Sequence, residues 1–125
     1  MTRKELGDFG ERVAAFYLEK KGYEILRRNY CVKGGEIDII AKKDGIIAFV
    51  EVKTRAPDYI SGGFEALTNR KKRLIIKTAE QYSLKHPHEL QPRFDAVEII
   101  TDGKKVTGFN YVENAFDGSG IMTIL

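Results

Sequence analysis

Asp44-Gly45 lies between two apolar, β-branched runs, Gly35-Glu-Ile-Asp-Ile-Ile-Ala41 and Ile46-Ile-Ala-Phe-Val-Glu-Val52. Asp-Gly in such a setting is the strongest short-range signal for a two-residue hairpin, because a type I′ turn needs positive φ at both central positions. With these two residues as the loop, Lys43 pairs with Ile46, and each step outward fixes the next pair. That register puts Asp38 directly opposite Glu51 and Glu36 opposite Lys53. All four then share one face, because side chains alternate along a strand. The other face reads Ile37, Ile39 and Ala41 against Ile46, Ala48, Val50 and Val52, which makes it a core face. The mixed face adds Ile40, Ile47 and Phe49 to three carboxylates and one lysine.

Like charges directly opposed across a strand pair are destabilising. Asp38 and Glu51 therefore call for something positive between them, and converging carboxylate oxygens suit a hard divalent cation such as Mg²⁺ or Mn²⁺. Lys53, two residues past Glu51 on the same face, would stand beside that ion. Two acids, a metal and a lysine suit metal-assisted hydrolysis of a phosphodiester. The bland alternative is an ordinary Glu36–Lys53 ion pair with Asp38 and Glu51 both facing water. Against it stands the setting of Glu51 inside Ala48-Phe-Val-Glu-Val-Lys53, where an acid is costly to bury without a partner.

These residues carry a resemblance. Gly35-Glu-Ile-Asp-Ile-Ile40 followed by Phe49-Val-Glu-Val-Lys-Thr-Arg55 resembles the nuclease superfamily named for its Asp…(Asp/Glu)-X-Lys motif. Within it the chain is similar to the small YraN-like family of predicted endonucleases. The likeness extends through Gly7-Asp-Phe-Gly-Glu-Arg-Val-Ala14, Lys21-Gly-Tyr23, Arg28-Asn-Tyr30, Arg93-Phe-Asp95 and Asn114-Ala-Phe116. One departure is Ile37, which precedes Asp38 where the superfamily often has proline. The resemblance implies a restriction-endonuclease-like fold. It also implies Mg²⁺ or Mn²⁺ held by Asp38 and Glu51 with help from the Val52 carbonyl. Lys53 is then catalytic, and Glu11 is an acid on the first helix assisting at the metal. Related enzymes that cut two strands pair their sites, so a homodimer is compatible with this reading.

Length and composition set the frame. A chain of 125 residues fits one domain spanning residues 1–125. Apolar residues make up 42% and charged ones 31%, the balance of a globular chain. A net charge of +3 permits nucleic-acid binding without arguing for it. The single Cys31 cannot form an internal disulfide, which fits a reducing compartment. With no apolar run behind Thr2-Arg-Lys-Glu5 and none approaching a membrane span, the expectation is a cytoplasmic protein without membrane association.

Thr2-Arg-Lys-Glu5 fits a capping box, opening a helix to about Lys21 that Gly22 ends. Leu6, Phe9, Val13 and Tyr17 read as its core stripe, and Asp8, Arg12 and Glu19 as its polar stripe. Glu11 belongs to neither, falling on the flank of Gly7, Ala14, Ala15 and Leu18, where small neighbours admit another backbone. Tyr23–Val32 reads as a strand, with Arg27, Arg28 and Asn29 as edge decoration or phosphate contacts. Past Lys53, Arg55 is a candidate phosphate ligand, since guanidinium matches phosphate geometry. In the loop that follows, with Pro57 and Gly62-Gly63, Tyr59 either stacks on a base or packs.

Thr68 caps a second helix to Lys85, stopped by Pro87, with Ile75, Ala79 and Tyr82 as its buried stripe. Arg70-Lys-Lys-Arg73 crowds cations at the end the macrodipole makes unfavourable for them. Lys71 and Lys72, aimed back at the sheet, are therefore candidate phosphate ligands, against the commoner solvated charge run. His86, His88 and Cys31 have neither the spacing nor the number for a zinc site. Arg93–Thr101 and Lys104–Tyr111 read as two strands around a type I′ turn at Asp102-Gly103, with Val97, Ile99 and Val106 inward. Asp95 is given a structural role beside Arg93. Phe116 is expected to dock on the core, before a flexible tail from Asp117 to Gly120.

The expected fold is α/β (or α+β), a mixed central sheet of about five strands with helices packed on it. The expected function is metal-dependent hydrolysis of DNA or a structured nucleic acid. The alternative is a nucleic-acid-binding or scaffold protein that keeps the fold with little catalysis. A third reading is a metal-binding regulatory partner of other proteins.

Overall fold

The computed structural model describes residues 1–57 and 67–117. Helix α1 (Arg3–Lys20) is followed by strands β1 (Glu24–Val32), β2 (Gly35–Lys43) and β3 (Ile46–Arg55). Helix α2 (Asn69–Lys85) leads to β4 (Gln91–Thr101) and β5 (Val106–Phe116). The five strands form one sheet in the order β1-β2-β3-β4-β5. All neighbours are antiparallel except β3 and β4, which are parallel. A parallel pair cannot be joined by a tight turn, so the segment containing α2 makes the crossover. The result is the mixed α/β sheet flanked by two helices that the resemblance implies.

Local chemistry sets the boundaries. Thr2 Oγ1 accepts the Glu5 N–H and Glu5 Oε1 accepts the Thr2 N–H, closing the capping box. Asp44 and Gly45 have φ of 49° and 78°, as the two-residue turn requires. The hairpin register runs as expected from Lys43–Ile46 through Ile39–Val50. Thr68 Oγ1 accepts the Lys71 N–H and starts α2.

Both sheet faces are buried. Ile39, Ala41, Ala48 and Val50 pack with Val97 and Ile99 under Ala14, Ala15 and Leu18 of α1. Ile40, Ile47 and Phe49 pack under Ile75, Ala79 and Tyr82 of α2. Burying each larger side chain in these layers contributes about 1.5–3 kcal/mol. Helix α1 corrects the expected stripe. Its fully buried positions are Gly10, Ala14, Ala15 and Leu18, whereas Leu6, Phe9, Val13 and Tyr17 are only partly covered. Close approach explains the choice: a Cβ on Gly10 would lie 1.7 Å from Thr54 Oγ1, so only glycine lets the helix reach β3 there. Gly35 is its counterpart on the other layer, where a Cβ would meet Thr78 Oγ1 of α2 at 2.2 Å.

The β4–β5 connection also differs from expectation. Asp102 is not left-handed, so the turn is not type I′. Instead Asp102 Oδ1 accepts the N–H groups of Lys104 and Lys105, and Thr101 pairs with Val106 across a wider loop. Strand β5 runs on to Phe116, and Val106 is exposed rather than inward. Phe116 is buried and stacks on Phe94. Asp95 is structural, as expected. Fully buried, it accepts two bonds from the Arg93 guanidinium, one from Tyr111 Oη and one from the Asn114 N–H. Among the described residues no helix is long and apolar enough to cross a membrane. Tyr59, Gly62-Gly63 and the tail from Gly118 lie outside the described residues.

Candidate functional site

The β2–β3 ladder stops at Ile39–Val50, one pair short of Asp38 and Glu51. Beyond it the first residues of β2 stay paired with β1, through Tyr30–Ile37 to Val32–Gly35. The strands part at Asp38, and side-chain alternation breaks there too. Ile37 packs in the α2 layer and Ile39 in the α1 layer, although the two are two residues apart. Across from this break, between the Arg28–Ile39 and Tyr30–Ile37 pairs, Asn29 has φ of 52°. Asparagine is among the few residues that adopt this conformation readily.

Asp38 and Glu51 are therefore not a regular cross-strand pair, but they remain neighbours. Their relative exposures are 8% and 7%, so neither faces water. Asp38 Oδ2 accepts the Val52 N–H at 2.7 Å, which satisfies a β3 amide beyond the end of the ladder. Burial and the Glu51 charge push the Asp38 carboxyl up to about 8. Glu51 Oε1 lies 2.9 Å from Lys71 Nζ and 3.6 Å from Lys53 Nζ. Burial, and next the adjacent Lys71, hold the Lys53 ammonium below the usual lysine range. Glu36 does not stand opposite Lys53: it pairs across to Cys31 on β1, and Lys53 contacts Glu51, so the Glu36–Lys53 ion pair of the bland alternative is not formed.

Glu11 joins from α1. Gly10 brings the helix against Thr54, and the next residue carries its carboxylate to the sheet. Glu11 Oε1 is buried without a hydrogen-bond partner, with the Arg28 guanidinium 3.9 Å away. Burial raises its pKa, partly offset by the Asn29 side chain and then Arg28. Asp38 feels Glu11 and Glu36 as further negative charges, so the acids form one electrostatic cluster.

The structure thus gathers Glu11, Asp38, Glu51, Lys53 and Lys71. Val52 follows Glu51 in the same strand. Lys72 turns elsewhere, with Nζ 5.8 Å above the Phe116 ring. Arg55 lies at the end of β3 with Nε 3.6 Å from Glu98 Oε2 of β4. Sequence reasoning missed Glu98, which stands beside Lys53 in the β3–β4 register. No local signal reports that register, because the crossover separates the strands. The sequence marks Asn29 only as edge decoration or a phosphate contact, because nothing local signals its left-handed backbone at the strand break.

The class defined here is a mixed five-stranded sheet with a helix on each face and an acid–lysine cluster where β2 and β3 part. The sequence profile of the uncharacterised protein family UPF0102 matches residues 10–99, and the chain belongs to that family. It is 44% identical over 117 residues to a UPF0102 protein of Clostridioides difficile (strain 630), covering 93% of this chain and 100% of that one. A UPF0102 protein of Caldicellulosiruptor bescii is 47% identical over 121 residues, with 93% and 100% covered. One of Caldanaerobacter subterraneus is 41% identical over 119 residues, with 93% and 98% covered.

Proposed function

We propose that this protein is a divalent-metal-dependent endonuclease that hydrolyses phosphodiester bonds in DNA or a structured nucleic acid. The observation that carries the reading is the closeness of two buried carboxylates, Asp38 and Glu51, with two lysines against Glu51. Like charges buried together are costly, and a hard cation between them offsets that cost. The donors fit Mg²⁺ or Mn²⁺. Asp38 commits one oxygen to Val52 and Glu51 commits one to the lysines. Their remaining oxygens and the Val52 carbonyl are hard ligands. Among the described residues no group of three or more acidic, histidine or cysteine side chains is arranged to hold a metal. Mg²⁺ is commonly held by one or two carboxylates and retained waters, so the pair suffices.

A metal held by Asp38, Glu51 and the Val52 carbonyl would supply Lewis acidity toward the phosphate and its bound water. The Lys53 ammonium neutralises charge that builds on the phosphate oxygens in the transition state. Glu11, whose buried Oε1 accepts no hydrogen bond, orients the attacking water. Arg55 and Lys71 hold neighbouring phosphates, so binding weakens as salt rises.

The alternative, a binding protein that keeps the fold without turnover, draws on the two lysines that already neutralise Glu51. Lys53→Ala separates the two. In the nuclease it lowers cleavage by about 100-fold or more while leaving binding nearly intact. A wild type that binds nucleic acid yet never cuts it in Mg²⁺ or Mn²⁺ would establish the alternative instead.

A further inference from the structure

Lys71 Nζ and Lys53 Nζ share one oxygen, Glu51 Oε1, at 2.9 and 3.6 Å. Two ammonium groups on one carboxylate oxygen repel each other, so this is an arrangement in which one of them can be displaced. The two are not equally placed to move. Lys53 is fixed in β3, two residues from Glu51, with a side chain 21% exposed. Lys71 reaches in from the first turn of α2, and its side chain is 38% exposed. Its exit to solvent is already open.

We propose that Lys71 is an internal stand-in for the divalent cation. It holds Glu51 in the metal-free protein and is released to a nucleic-acid phosphate when the metal binds, making the two ligands cooperative. The inference rests on the reading of Asp38 and Glu51 as metal ligands. Glu51 faces both Lys53 and Lys71, and Asp38 lies within the field of Lys71, so two carboxylates and two ammoniums balance unaided. A divalent ion adds two positive charges to the same small volume. Moving Lys71 outward relieves that excess with a side-chain rotation alone. The released ammonium stays at the start of a helix whose first turn holds no acid and where Arg70, Lys72 and Arg73 cluster beside it. Four cations at a helix N-terminus are unfavourable unless an anion faces them. Glu51 is that anion for Lys71 in the metal-free protein, and a phosphate is its successor.

Linkage makes the consequence reciprocal: if metal raises nucleic-acid affinity through Lys71, nucleic acid raises metal affinity by the same factor. The test is Mn²⁺ titration calorimetry on the full chain as wild type, Lys71→Met and Lys71→Arg. It is paired with anisotropy of a labelled phosphorothioate DNA duplex, which resists cleavage, in Mn²⁺ and in chelator. Lys71→Met should bind Mn²⁺ about tenfold more tightly than wild type and lose most of the metal-induced gain in DNA affinity. Lys71→Arg, which keeps the charge, should stay near wild-type Mn²⁺ affinity. Lys71→Gln repeats the first comparison if the methionine variant melts early. Equal or weaker Mn²⁺ binding by Lys71→Met, or an undiminished DNA gain, overturns the proposal while leaving the metal site standing. A wild type that binds no Mn²⁺, or binds it no better than Asp38→Asn does, overturns the metal reading and this inference with it.

Discussion

Val52 donates its backbone N–H to Asp38 Oδ2 at 2.7 Å, beyond the point where the β2–β3 ladder ends. A side chain thus does the work of the missing strand partner and in doing so holds an acid inside the sheet. Asparagine keeps an oxygen for this bond and removes the charge, so Asp38→Asn isolates the electrostatic cost of the site.

That cost depends on pH. Asp38 titrates at about 8 in the folded protein against an ordinary value of 3.8, so the native state binds its proton more tightly. At acidic pH both states are protonated and the group is neutral to stability. As pH rises from about 4 to about 8 the unfolded chain ionises first, and metal-free stability falls. The slope from one group is at most about 1.4 kcal/mol per pH unit. Urea unfolding in chelator at several pH values should show this decline for wild type and a flatter profile for Asp38→Asn. The variant should be the more stable of the two at pH 8. Parallel profiles would contradict the assignment.

Gly10 fixes how closely α1 approaches β3. Gly10→Ala puts a methyl 1.7 Å from Thr54 Oγ1 and 2.8 Å from Thr54 Cβ, so the helix must shift. The expected loss is about 1–3 kcal/mol, despite alanine being the better helix former. Thr54→Ala in the same chain should recover part of it, and a double-mutant cycle by urea unfolding reads the coupling. Purely additive effects would show that the two residues do not meet.

Asp95 anchors the far side of the sheet by accepting bonds from Arg93, Tyr111 and Asn114. Asp95→Ala leaves the largely buried Arg93 guanidinium without its main partner and should cost about 3–5 kcal/mol. Tyr111→Phe removes one bond and should cost about 1–2 kcal/mol. Both are read by chemical unfolding. Equal small losses would mean that Asp95 is not the hub of this network.

The hairpin was legible because its signals are local: Asp44-Gly45 demands one turn, and that turn sets the register out to Ile39–Val50. The capped starts of α1 and α2 were legible for the same reason. What failed depended on distant chain. Hydrophobicity pointed to Phe9 and Val13 on α1, but the sheet required small residues at Gly10, Ala14 and Ala15 for close approach. That same geometry turned Glu11 inward, on the flank the sequence had singled out without deciding its fate. The β3–β4 register, and with it Glu98 beside Lys53 and Arg55, depends on a crossover that has no short-range signature. At Asp102-Gly103 a dipeptide favourable for a type I′ turn was overruled by the Asp102 side chain, which accepts two backbone N–H groups instead.

The most direct test is cleavage of labelled single-stranded, duplex, flapped and four-way-junction DNA in Mg²⁺ and in Mn²⁺, with Asp38→Ala prepared identically beside the wild type. Metal-dependent cutting by the wild type that Asp38→Ala lacks is the expected result. Identical behaviour of the two proteins, whether both cut or neither does, would contradict the assignment of Asp38 and Glu51 as the heart of a nuclease site.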